Sequence, residues 1–380
     1  MKWWPELIDE ISLKPPALHF LFGPRQVGKT TLLKLLVKKL VEGGRDPRTI
    51  FYYTCEMAAD HRELGEVLGE IVKLKKRWGV SSALVLLDEV TYPKEWYRAL
   101  KFYLDQGHFR NDVIIATGSV SMYAKREVET FPGRRGWGRD YVMYPLSFKK
   151  FAEVQGVPPG ADPTAWRTEL AEALELYLKC GGYPAAVVNC ATSGNPGDAA
   201  DVVISSLAFD LARLKRSEAY AKRLLKAVLE AAPSPFSLNA LAKEAELRSH
   251  KIAFSYLNLL ESLYLLRQLY YIDPYRLVED YKKPRKIHLI DPLVYQAAAK
   301  WTGAKIPHEA ALLEATVAMH FARSHRVGYW RDSFEVDVVV PELGLGIEVK
   351  WGKRAGVKRV GQIVVKTLDL EELAQLLYQL

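Results

Sequence analysis

The stretch GPRQVGKTT, Gly23 to Thr31, decides how this chain is read. It fits GxxxxGK[ST] and lies between the apolar run ALHFLF and the helical pattern TTLLKLLVKKLV, the strand, loop and helix setting that such a motif needs. Across Gly23, Pro24, Arg25, Gln26, Val27, Gly28, Lys29, Thr30 and Thr31 the backbone is expected to curl. The two glycines permit the turn, and successive N–H groups then face phosphate oxygens at the positive end of the following helix. Lys29 is placed to reach β and γ oxygens, and the Thr30 hydroxyl takes a magnesium position, so the stretch points to ATP and Mg2+. A chance match in a glycine turn would lack the flanking strand and helix.

Downstream, apolar runs alternate with helical patterns: TIFYYTC, ELGEVLGEIVKLKKRW, ALVLLDE, KEWYRALKFYL, DVIIATG and YVMYPL. That alternation predicts a parallel α/β sheet with right-handed crossovers. The run LVLLDEV ends in Asp88, at the strand end where such sheets bind ligands, and Asp88 is expected to hold magnesium. The adjacent Glu89 is the candidate for orienting or deprotonating an attacking water, an arrangement that favours hydrolysis over simple nucleotide transfer. VIIATGS offers Thr117 and Ser119 as sensors of the γ-phosphate, with an ordinary turn as the plainer reading. In FPGRRGWGR, Arg134 and Arg135 are candidates for stabilising transition-state charge in a neighbouring subunit, which implies a homo-oligomer; a solvated basic loop is the alternative.

With 380 residues the chain exceeds the size at which one core stops growing, so several domains are expected. The expected division is a P-loop ATPase domain over 1–155, a helical lid over 156–219, a winged helix-turn-helix over 220–285 and a small α/β domain over 286–380. The net charge of +8 permits an acidic partner such as DNA without selecting one. His250 and Lys251 lie near the start of the candidate recognition helix, which is otherwise poor in bases. Cys55, Cys180 and Cys190 include no CxxC pair, which argues against a disulfide framework or a zinc site and makes a reduced cytoplasm the simplest setting. The opening MKWWPELIDEISLKPP lacks the apolar core of a signal peptide, and no apolar run reaches membrane-span length, so no membrane partner is expected.

The segments GPRQVGKTTL, LLDEV, WYRALKFYLD, IIATGS, GRRGWGR, YPLSFKKF and CGGYPAAV together resemble the AAA-type ATPases of archaea and bacteria that carry a winged helix and a restriction-endonuclease-like C-terminal domain. The resemblance implies a sheet in 5-1-4-3-2 order and ATP with magnesium. It leaves the biological process open.

In the last hundred residues, charges interrupt two apolar strands in EVDVVV and LGIEVKW. Glu348 and Lys350, two apart, share one strand face, and Asp337 lies on the neighbouring run. This resembles the Asp…Glu-x-Lys signature of restriction-type nucleases, with Glu314 as an additional helical acid. It predicts one metal-binding cluster of Glu314, Asp337, Glu348 and Lys350, the alternative being a cross-strand salt bridge. The leading expectation is a magnesium-dependent ATPase coupled to DNA binding or processing. The alternatives are a nucleotide-controlled switch whose C-terminal domains bind a protein, and an assembly protein that binds ATP without hydrolysing it.

Overall fold

The computed structural model describes residues 5, 7–119, 131–352 and 356–380. It divides into two compact units, Lys2–Tyr144 and Pro145–Leu380.

The first unit is built on a sheet of β1 (Ala17–Phe22), β2 (Ile50–Thr54), β3 (Leu84–Asp88), β4 (Val113–Gly118) and β5 (Asp140–Val142). All pairings are parallel, in the order β2-β3-β4-β1-β5, which is the expected 5-1-4-3-2 read from the other edge. Every residue of β1, β3 and β4 is buried, which explains their largely apolar runs: a central parallel strand has helices on both faces and no solvent side. One polar exception, His19, lies in mid-strand and is hydrogen-bonded to Ser12 O at 2.8 Å; Asp88 and Thr117 lie at the C-terminal ends. There Phe22 pairs with Gly118 and Thr54 with Asp88, so the loops after β1, β3 and β4 open on one edge.

The second unit begins with helices Phe148–Val154, Arg167–Cys180, Pro184–Ser193 and Ala199–Arg213. Cys180 and Cys190 form a disulfide, although the absence of a CxxC pair argued against a disulfide framework. The chain turns back through Gly181 and Gly182 between the two helices, which brings their ends together although no CxxC spacing announces it. Helices Glu218–Ala231, Leu238–Glu244 and His250–Ser262 pack on one another. They lead into the antiparallel pair β6 (Leu266–Asp273) and β7 (Val278–Asp280).

The remaining strands are β8 (Lys286–Leu289), β9 (Gly328–Arg331), β10 (Glu335–Val340), β11 (Leu345–Val349), β12 (Gly356–Val360) and β13 (Ile363–Leu368). They join β6 and β7 in one mixed sheet, ordered β12-β13-β11-β10-β9-β6-β7, with β8 also on β6. The junction expected at residues 285–286 therefore lies within a continuous sheet. Ile272 of β6 shares a core with Trp330, Val336, Val339, Ile363 and Val365 from the later strands. The helix Glu309–Phe321 is buried at every position from Ala311 onward, as an element apolar on nearly all sides must be. No helix among the described residues is long and apolar enough to cross a membrane.

Candidate functional site

At the open edge of the first sheet the loop after β1 turns through Gly23, at φ 150°, and Gly28, at φ 98°. A Cβ on Gly23 would collide with the carbonyl oxygen of Met143. Buried Val27 anchors the loop, while Gln26 is exposed and takes a left-handed φ of 66°. Lys29 is buried, and its Nζ donates to the carbonyls of Gly23 and Pro24, each at 2.9 Å. The same ammonium lies 3.8 Å from Oε1 of Glu89.

Asp88, only 3% exposed, is held by three hydroxyls from three different segments. Thr30 Oγ1 donates to Oδ2 at 2.7 Å, Tyr52 OH donates to the same oxygen at 2.9 Å, and Thr117 Oγ1 donates to Oδ1 at 2.6 Å. The sequence reading did not single out Tyr52. Only the pairing of β2 with β3 brings it to the carboxylate, and burial followed by the Asp88 charge raises its phenol pKa. Thr117 also accepts from the backbone N–H of Glu89 at 2.8 Å, fixing the turn that aims the glutamate. Glu89 has a left-handed φ of 52°, an unusual conformation for a residue with a long side chain. Its Oε2 is buried with no hydrogen-bond partner among the described residues, and so is the Oγ of Ser119.

An acceptor oriented by a strained turn, beside a buried ammonium, suits a group that takes a proton from water. The paired Thr30 hydroxyl and Asp88 carboxylate are hard oxygen donors of the kind that Mg2+ takes. Arg134 pairs with Asp105, Nε to Oδ1 at 2.5 Å, and Arg135 with Asp140 at 2.6 Å, so both arginines are engaged within their own chain.

The C-terminal acids differ from the expectation of one metal cluster. Lys286, on β8 and 1% exposed, sits among them: its Nζ is 2.7 Å from Glu314 Oε1, 2.6 Å from Glu335 Oε1 and 3.5 Å from Asp337 Oδ1. Burial opposes its charge, yet Glu314, Asp337 and Glu335 outweigh burial and raise its pKa. Burial, reinforced by the Glu314 charge, pushes the Asp337 carboxyl up to about 7, while Val349 N–H donates to its Oδ2 at 2.8 Å. Glu348 is engaged elsewhere, 2.9 Å from Lys350 and 3.7 Å from Lys358, and accepts from Thr367 at 3.0 Å. Among the described residues no group of three or more His, Cys, Asp or Glu is arranged to hold a metal ion. A fixed ammonium already occupies the place between Glu314, Glu335 and Asp337, and Lys350 is engaged with Glu348.

The fold and the edge geometry define a P-loop nucleotide-binding protein. Residues 16–152 match the family model described as AAA domain. Residues 171–305 match a model described as a domain of unknown function. Among solved structures, the chain is similar to the Aeropyrum pernix ORC2 protein in ADPNP–ADP complexes, with 14% identity over 76% of this chain and 88% of that one, at a TM-score of 0.44. It is also similar to Drosophila ORC bound to DNA (14% identity, 77% of this chain and 91% of that one, TM-score 0.30). A third is Cdc6p from Pyrobaculum aerophilum (12% identity, 77% and 90% coverage, TM-score 0.29). No curated protein matches the chain.

Proposed function

We propose that the protein hydrolyses ATP with Mg2+ at the edge formed by the loops after β1, β3 and β4, and couples turnover to DNA through its second unit. The observation that carries the hydrolytic reading is the meeting of Thr30 and Asp88 at 2.7 Å, with Glu89 next in sequence and its Oε2 unpartnered among the described residues. Thr30 and Asp88 would hold the metal, which when bound neutralises charge on the β and γ phosphates. Lys29 exchanges its loop carbonyls for those phosphate oxygens. Glu89 orients the water and accepts its proton, while Thr117 and Ser119 read whether the γ-phosphate is present. Arg134 or Arg135 leaves its acid partner to serve a neighbouring protomer.

The DNA reading rests on the three packed helices followed by the β6–β7 hairpin, an arrangement of the winged-helix kind, and on the net charge of +8. We assign no metal-dependent cleavage to the C-terminal acids, because Lys286 occupies their centre. The deciding experiment measures phosphate release with and without duplex DNA over a range of salt. Stimulation that fades as salt rises supports the coupled ATPase. Hydrolysis indifferent to DNA favours a nucleotide-controlled switch, and the absence of hydrolysis refutes the enzymatic reading.

A further inference from the structure

The β6–β7 wing itself offers little charge to a polyanion. Arg276, Lys282 and Lys283 around the β6–β7 turn are offset by Asp273, Glu279 and Asp280. The β12–β13 hairpin, at the other end of the strand order although its turn packs on the β6–β7 turn, is different. Between Glu348 and Asp369 the sequence has no acid and six bases: Lys350, Lys358, Arg359 and Lys366, together with Lys353 and Arg354, which lie outside the described residues. Glu348 is already neutralised by Lys350 and Lys358.

In the β12–β13 pair, Val357 stands opposite Lys366 and Arg359 opposite Val364, so these side chains share one face. All are exposed, Val357 to 72%, and neither Arg359 nor Lys366 has an ion-pair partner among the described residues. The hairpin is also braced: in its turn, Gln362 N–H donates to Pro274 O at 2.8 Å and Gln362 Nε2 donates to Tyr275 O. A sheet edge is protected from pairing with another chain by charge of either sign. Charge of one sign, on a rigid and partly apolar face, suits a chain of phosphates whose condensed counterions it can displace.

We propose that the outer face of the β12–β13 hairpin, centred on Arg359 and Lys366, is the surface that holds the nucleic-acid backbone. The proposal rests on the DNA half of the reading above and names the place where the contact is made. The hairpin supplies affinity through phosphates, without reading bases. The exposed valines approach sugar edges.

The test uses the full-length protein and a fluorescein-labelled duplex of arbitrary sequence, followed by anisotropy at several salt concentrations. Three proteins are compared: wild type, Arg359→Gln/Lys366→Gln, and the wing control Lys282→Gln/Lys283→Gln. The hairpin variant is expected to bind about tenfold or more weakly at moderate salt, with the slope of log affinity against log salt reduced by about two. The wing variant should stay within about twofold of wild type. Unchanged melting temperature and unchanged basal phosphate release exclude misfolding in either variant. If wild type binds and the hairpin variant binds equally well, or the loss appears in the wing variant instead, the hairpin proposal is overturned while the DNA reading stands. If wild type binds no duplex at any salt, the DNA reading itself fails and the proposal with it.

Discussion

Tyr52 and Asp88 sit on adjacent parallel strands, and the phenol donates to the carboxylate at 2.9 Å on the same oxygen that accepts from Thr30. Were Thr30 to turn to a bound Mg2+, Tyr52 and Thr117 would be left to orient Asp88. Tyr52→Phe is therefore expected to raise the Mg2+ concentration needed for tight nucleotide binding by up to about tenfold, the scale of one hydrogen bond to a charged group. Nucleotide affinity without metal should change little. A titration of fluorescent ATP analogue against Mg2+ measures both, and an unchanged Mg2+ midpoint denies Tyr52 the orienting role.

Lys29 is the buried cation of the phosphate loop, so Lys29→Ala should abolish ATP binding and turnover. Glu89→Gln keeps the shape of the side chain and loses the proton acceptor. It should bind ATP as wild type does and release phosphate at least 100-fold more slowly, the scale of general-base catalysis. Equilibrium binding and single-turnover assays separate the two effects. Wild-type turnover in Glu89→Gln would point to a different base.

Arg134 and Arg135, themselves half-buried, are held by the exposed carboxylates of Asp105 and Asp140. If they complete a neighbour's site, ATP turnover per chain rises with protein concentration, and Arg134→Ala/Arg135→Ala removes that rise without removing ATP binding. A flat dilution series from a protein that stays monomeric with ATP excludes the exchange.

Removing Lys286 leaves Glu314, Glu335 and Asp337 facing one another without their cation. Lys286→Met should cost about 3–5 kcal/mol at neutral pH, as breaking a buried ion pair does. The deficit should shrink on acidification, because protonated carboxyls no longer repel. Mn2+ is expected to raise the melting temperature of the variant and not that of wild type. An equal Mn2+ shift in both proteins would show that the ammonium does not own the site.

Asp291 is wholly buried, accepts from Gly182 N–H at 2.8 Å and Leu293 N–H at 2.9 Å, and burial raises its pKa from 3.8 to about 6. The folded chain keeps a proton that the unfolded chain releases above about pH 4. Its contribution therefore favours folding at low pH and is lost as pH rises through about 6. Asp291→Asn should flatten that part of the curve of melting temperature against pH. An identical slope in variant and wild type would remove Asp291 as its source.

The first sheet was legible because its central strands are largely apolar runs set off by helical patterns, and because GPRQVGKTT fixes the position of β1. Thr30 and Asp88 were legible as separate motif positions, and the strand order brings them together. Tyr52 was not, since alternation marks it only as one of several aromatics in IFYYT and the register of β2 on β3 decides which one meets Asp88. Lys286 escaped for a similar reason. It lies 28 residues before Glu314 and reads as one base in a basic turn until β8 pairs with β6 and buries it. The pairing of Cys180 with Cys190 depends on the path through Gly181 and Gly182, which spacing alone does not reveal.

The sheet that takes β6 and β7 into the same ladder as β9 to β13 also limits how this chain can be divided or recombined. Cutting at residue 285 would strip β8 and β9 from β6 and leave unsatisfied backbone edges on both fragments, which invites aggregation. The three-helix segment and the C-terminal strands are therefore joined through one sheet. A fragment that held one without the other would carry a half-finished sheet, so the strands of this part have to be kept or exchanged together.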